Sequence, residues 1–318
     1  MIDPKWRFFL AEGLLEMHGK HTWMVIDFDQ RRWYQITGPS ETLPDEESAL
    51  PYIRLYVDQL DFGYPPYSAL EGNTETLETK DLTEIDRFGV GADLVSYNSP
   101  LDNTKKLVAF KYTIFKPCIE LIWGEIQVLK FFRDRDNRES FVSLDRIILE
   151  NEQIVGFTSE YIPGGTLEQY DQVFYFRWMK QLTTAIDDLN LRFGIMHQDI
   201  SRRNILFDPG TNNLKIFDFN RSALIGADYH TGARDDVNGL VFAIYETLTR
   251  DQQYTNMISH SQQNVKNVEE LLEWGPKIPL EEGFEIEAYN HQFLDKWVKE
   301  RRTTCTIKRF SEATEPMP

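Results

Sequence analysis

The feature that most constrains this chain is a change of period at Pro163-Gly164-Gly165. From about residue 76 to 161, apolar residues fall in short runs rich in β-branched and aromatic side chains, as strands require. "ETLETKDLTEIDRF" (75–88), "ADLVSYN" (92–98) and "KKLVAFKYTIF" (105–115) read as three successive antiparallel strands. "LDRIILENE" and "QIVGFTSEYI" meet at Asn151–Glu152 as a hairpin does. One interruption, "CIELIWGEIQVLKFFRDR", repeats Ile119, Ile122, Ile126 and Leu129 at helical spacing. Beyond Gly165 the helical period takes over. Trp178, Met179, Leu182, Ile186 and Leu189 share one face of a helix that ends at Gly194, and Val237, Leu240, Val241, Ile244, Tyr245 and Leu248 mark a second, buried one. "NVEELLEW" and "EIEAYNHQFLDKWVKERR" predict later helices.

A β-rich stretch followed by an α-rich one predicts an α+β chain of two lobes with a cleft between them. The expected divisions are an N-terminal extension (1–75), a small β lobe with one helix (76–161) and a larger helical lobe (162–318). In the extension, 21–29 and 31–38 read as a hairpin, 39–48 as an acidic loop and the stretch after 51 as a short helix and turn.

Just past the join stands "IMHQDISRRNILFDPGTNNLKIFDFN" (195–220). Asp199, Asn204 and Asp218 are oxygen donors set on a loop and at the end of a short strand pair. Such groups suit a hard divalent cation and proton acceptance from a hydroxyl. Upstream, "FGVGADL" places Gly89 and Gly91 between two strands, "LVAFK" ends on Lys111, "GEIQVLKFF" supplies Glu125, and "SEYIPGGTL" carries Glu160 and Ile162.

In this order the segments resemble the catalytic core of the protein-kinase superfamily over roughly residues 80–250. "HQDISRRN" is similar to the H-R-D-x-x-x-x-N catalytic loop, "DFN" to the D-F-G turn and "DDVNGLVFAIYE" to the buried helix that braces that loop through Asp236. The resemblance implies a bilobal kinase-like fold and an ATP/Mg²⁺-dependent phosphotransferase. Asp199 would accept the acceptor hydroxyl's proton, and Asn204 and Asp218 would hold Mg²⁺. Lys111, positioned by Glu125 (with Glu120 as the alternative), would hold the α- and β-phosphates. Gly89 and Gly91 would admit backbone N–H groups to the phosphates, and the backbone at Glu160 and Ile162 would meet adenine.

The departures are specific. The third glycine of the loop is Leu94, the arginine after His197 is Gln198, the lysine two residues past Asp199 is Ser201, and the D-F-G glycine is Asn220. The expectation from Gln198 is loss of control by a phosphate on the following segment. Arg203 lies where tyrosine kinases carry an arginine. Asp218 and Asp236 enclose a short segment without A-P-E. In that respect the chain resembles RIO-type, Bud-type and lipopolysaccharide kinases. The acceptor is then either a protein Ser/Thr or a small-molecule hydroxyl, and a pseudokinase scaffold that binds nucleotide or a partner without turnover is the alternative.

Charge narrows the partners. Lys plus Arg number 34 against 51 Asp plus Glu, a net charge of −17, which repels nucleic-acid backbones. The opening residues lack the charge–apolar–small order of a signal peptide, and Cys118 and Cys305 have no metal-ligand spacing. The expectation is a cytoplasmic protein, with the nucleus left open, no membrane partner, and an N-terminal extension available to a protein partner. His18, His21, His230, His260 and His291 read as surface or structural residues.

Overall fold

The structure, a computed structural model, describes residues 64–70, 72, 74–113, 118–133, 135, 139–256 and 259–318, with the backbone of four strands within 8–39. Those four are β1 (Phe8–Ala11), β2 (Leu15–Glu16), β3 (Lys20–Asp27) and β4 (Arg32–Pro39). They form one antiparallel sheet in which β3 is central and pairs β4 from Asp27↔Arg32 to Lys20↔Pro39. The expected hairpin at 21–38 is therefore present, and β1 and β2 add strands that the sequence did not announce. The acidic loop at 40–48 and the short helix expected after 51 lie outside the described residues, which resume with a 3₁₀ turn at Tyr67–Ala69.

The chain divides into two compact units, residues 1–122 with 145–161, and residues 123–144 with 162–318. The first holds a six-stranded sheet of β5 (Thr76–Glu78), β6 (Thr83–Gly89), β7 (Ala92–Asn98), β8 (Lys105–Tyr112), β9 (Leu144–Glu150) and β10 (Gln153–Glu160). Its order is β5-β9-β10-β8-β7-β6. Alternation of side chains puts Val108, Phe110 and Tyr112 of β8 into a core with Leu77, Val95, Tyr97, Ile148 and Val155. Ala109 and Lys111 take the opposite face of that strand. Asn151 and Glu152 both have positive φ, 52° and 63°, which gives the β9–β10 turn the twist of a two-residue hairpin.

One expectation fails here. Residues 75–88 are not one strand of an antiparallel series. A 3₁₀ turn at Thr79–Asp81, in which Glu78 N donates to Asp81 Oδ2 at 3.2 Å, splits β5 from β6. β5 then pairs parallel with β9, Leu77 opposite Ile148.

Helix α1 (Ile119–Arg133) runs across the division between the units. The second unit contains α2 (Phe176–Asp187), followed by a π turn at Asp188–Arg192, β11 (Ile195–Met196), β12 (Ile205–Asp208), β13 (Asn213–Ile216), β14 (Ala223–Leu224) and α3 (Asp236–Thr249). Three short helices close it: α4 (Lys266–Glu269), α5 (Ile286–Tyr289) and α6 (Asp295–Thr303), the last two joined by a π turn. The helix expected at "NVEELLEW" is one turn long, while that expected at 285–302 is present with its π insertion. Leu182, Ile186, Leu189, Leu240 and Leu248 are 0–1% exposed, so both predicted apolar faces are the core of this unit.

Candidate functional site

The stretch after β11 is a loop whose shape is imposed by one buried carboxylate. Asp236, at the first turn of α3, accepts from His197 N at 2.7 Å through Oδ2, from Gln198 N at 2.8 Å through Oδ1 and from Asn190 Nδ2 at 2.9 Å through Oδ2. It is 1% exposed, and burial pushes its carboxyl above the usual range, opposed by these donors. Asn190 in turn accepts from Arg301 Nη2 at 2.8 Å, which ties α6 into the same network. The loop also lies close against α3. A Cβ at Gly239 would stand 2.7 Å from the Ile200 carbonyl oxygen, so that position needs glycine.

Within the loop Asp199 and Asn204 come together. Asn204 Nδ2 donates to the Asp199 carbonyl at 2.8 Å and to Asp199 Oδ2 at 3.1 Å. Both side chains are largely buried, at 7% and 4% exposure. The amide nitrogen of Asn204 is thereby committed, which leaves its oxygen as the end suited to a hard cation. Arg203 Nη2 reaches Asp199 Oδ1 at 3.2 Å and Oδ2 at 3.4 Å, and His260 Nε2 lies 3.8 Å from Oδ1. Asp199 N donates to His197 Nδ1 at 3.2 Å, and the far nitrogen, Nε2, is 3.0 Å from the Phe217 carbonyl. That ring spans from the loop to the strand end that delivers Asp218.

Asp218 is left-handed, with φ 67° and ψ 60°, at the mouth of a 3₁₀ turn, Phe219–Arg221. Aspartate tolerates that region better than most residues. Phe219 is held from every side. Its ring packs on Phe132, Phe141 and His197 at centroid distances of 5.2, 5.9 and 4.8 Å, and its N–H donates to Glu125 Oε1 at 3.0 Å. Glu125 is 2% exposed on α1, whereas Glu120 is exposed. Of the two candidate glutamates, Glu125 is the buried one, and it accepts from the turn that carries Asp218.

Gln198 has an unforeseen part. Its Nε2 donates to the Arg221 carbonyl at 2.8 Å and to the Tyr229 carbonyl at 2.9 Å, while its Oε1 accepts from Thr231 N at 2.6 Å. The sequence marked this position as the loss of an arginine. The structure shows an amide that takes both halves of the 221–231 segment at once.

In the other unit, Gly91 has φ 74°, and a Cβ there would stand 2.5 Å from the Tyr112 carbonyl oxygen; nothing lies within 4 Å of a Cβ at Gly89. Gly91 is thus required by the backbone itself, and Gly89 borders open space. Lys111 is half-buried on β8, opposite Ala92 and Phe157. Glu160 ends β10 opposite Val108, and Ile162, two residues on, is buried.

A cavity of about 400 Å³ opens beside Asp199 within the second unit. It is lined by the loop (198–203), the residues around the start of α3, and side chains from 252 to 263 including His260. Sequence reasoning set His260 aside. Its signal is spatial only, since nothing near it in the chain marks it.

No family model matches the chain. It is 28% identical over 139 residues to the probable serine/threonine-protein kinase fnkB of Dictyostelium discoideum, an alignment that takes in 38% of this chain. The chain spans about a quarter of the length of that curated relative, 24% of which is aligned. This supports a kinase-like relationship. No helix among the described residues is long and apolar enough to cross a membrane.

Proposed function

We propose that the protein is a phosphotransferase that moves the γ-phosphoryl group of ATP, with Mg²⁺, to a hydroxyl acceptor, either a protein Ser/Thr or a small molecule. The observation that carries this reading is the joined pair Asp199–Asn204, fixed by main-chain bonds to Asp236. Such chemistry needs positioned oxygens more than reactive side chains. When bound, Mg²⁺ would supply neutralisation of the charge on the transferring phosphate. Asp199 is assigned to orient the acceptor hydroxyl and take up its proton. The oxygen of Asn204 and the carboxylate of Asp218 are assigned as metal ligands. Lys111 and the backbone at Gly89 and Gly91 are assigned to the phosphates, Glu125 to the placement of Lys111 and the Asp218 turn, and Glu160 and Ile162 to the adenine edge. The likeness to a kinase supports the phosphotransferase reading.

Incubation with γ-labelled ATP and separate pools of proteins and metabolites tests it. Label should pass to one pool, and Asp218→Ala should abolish Mg²⁺-dependent nucleotide binding. Failure of the wild type to transfer label to either pool overturns turnover. Arg203, which covers both Asp199 carboxylate oxygens, favours a second reading, a nucleotide-binding scaffold without turnover. Retained nucleotide binding with no transfer would select it.

A further inference from the structure

The cavity beside Asp199 has its own chemistry. Its volume, about 400 Å³, is in the range of small-ligand sites. One end is the Asp199 carboxylate. The other acids around it are already engaged. Glu246 lies 3.3 Å from Arg202 Nε and accepts from Thr255 Oγ1, while Asp235 caps α3 by accepting from Asn238 N at 2.9 Å. Glu168 also faces Arg202, at 3.8 Å.

The cations divide differently. Arg202 is neutralised by those glutamates and Arg203 by Asp199. Arg234 gives Nη1 to the Gln198 carbonyl at 3.2 Å, and among the described residues no carboxylate lies within ion-pairing distance of it. His260 lines the same cavity. Burial and then the positive charge of Arg234 lower the pKa of His260, opposed by Asp199, with Arg203 and Arg221 adding to the lowering. Arg203, Arg234 and His260 thus line one cavity in a protein of net charge −17, and Arg203 is paired with Asp199 while Arg234 is not. Crowded like charges of this kind are relieved by an oxyanion and aggravated by a cation.

We propose that this cavity is the acceptor site, and that it takes a small hydroxyl-bearing molecule carrying a phosphate or carboxylate group, with Arg234 binding the oxyanion and Asp199 facing the hydroxyl. The assignment rests on the phosphotransferase reading and names its substrate class. The acceptor oxygen forms a bond to the γ-phosphorus as the bond from that phosphorus to the β–γ bridging oxygen breaks. The hydroxyl proton passes to Asp199, and the nucleoside diphosphate leaves with the bond electrons. Arg234 is a specificity residue here: it selects the charge of the acceptor and touches no bond that changes.

Titration calorimetry on the full chain without nucleotide tests the site with four hydroxylated probes: sn-glycerol 3-phosphate, glycerate, glycerol and choline. Binding of at least one of the two anions, ahead of glycerol and choline, is expected. Arg234→Gln should weaken that binding roughly tenfold to a hundredfold, the scale of one charge-assisted hydrogen bond, and Arg234→Lys should restore part of it. Equal or tighter binding of choline or glycerol, an unchanged Kd in Arg234→Gln, or no binding of either anion overturns the proposal. If Arg234→Gln does not fold, competition by inorganic phosphate against the bound anion decides instead: displacement supports the oxyanion site and its absence overturns it. Label transfer from ATP, run on the same samples, separates the two readings. Anion binding without any ATP turnover would sink the phosphotransferase and leave the anion site, and turnover without anion binding would do the reverse.

Discussion

Asp236 and Asp199 are carboxylates joined through the same loop, and they are put to opposite uses. Every contact of Asp236 is to a donor that builds the fold: two main-chain N–H groups and the amide of Asn190. Asp199 instead faces, besides the buried Asn204 of its own loop, two side chains open to solvent, Arg203 and His260, beside a cavity. A buried acid saturated by backbone donors is a fastening. One held in part by exposed or half-exposed side chains can exchange those for something else. The difference teaches that burial alone does not tell a fastening acid from one open to a ligand; the exposure of its partners does.

That contrast can be broken outright. Asp236→Ala orphans several buried donors at about 1–3 kcal/mol each, so a loss of roughly 3–5 kcal/mol in urea denaturation is expected. Asp199→Asn keeps the shape and should cost less than about 1 kcal/mol while lowering the proposed phosphoryl transfer about 10²–10⁴-fold. Equal destabilisation by the two changes would erase the distinction.

A smaller effect sharpens it. Gln198→Ala removes the bonds to Arg221, Tyr229 and Thr231, each worth about 1 kcal/mol. Amide hydrogen exchange in 221–231 should accelerate at least about fivefold, with α2 unaffected, for a total loss of about 1–3 kcal/mol. Uniform acceleration across the second unit would show that Gln198 supports the whole fold instead of this segment.

The smallest expected change is in pH response. The folded pKa of His260 lies below its unfolded value through burial first and Arg234 next, so the unfolded chain binds more protons in that window. Its contribution to stability is therefore present above pH ~6.5 and lost as pH falls. An NMR titration should find the imidazole midpoint below that of a free histidine, and Arg234→Gln should raise it. A midpoint unmoved by that change would remove the arginine from its surroundings.

What the sequence disclosed was whatever depends on neighbours in the chain. The spacing of Asp199 to Asn204 reports a loop that bonds to itself, and Asn151–Glu152 reports a turn. The faces of α2 and α3 follow from their period. What stayed hidden depends on long-range meetings. Nothing in "TLETKDL" breaks the strand pattern with glycine or proline, so the parallel pairing of β5 with β9 was invisible. His260 and Arg234 acquire meaning only where the chain returns to Asp199. Gln198 looked like a deletion of function because its replacement contacts lie in a segment with no motif of its own.

The carboxamide of Gln198 has one further consequence. It joins Arg221 at one end of the 221–231 segment to Tyr229 and Thr231 at the other through a neutral side chain, so the link carries no charge for salt to screen and should hold at high ionic strength.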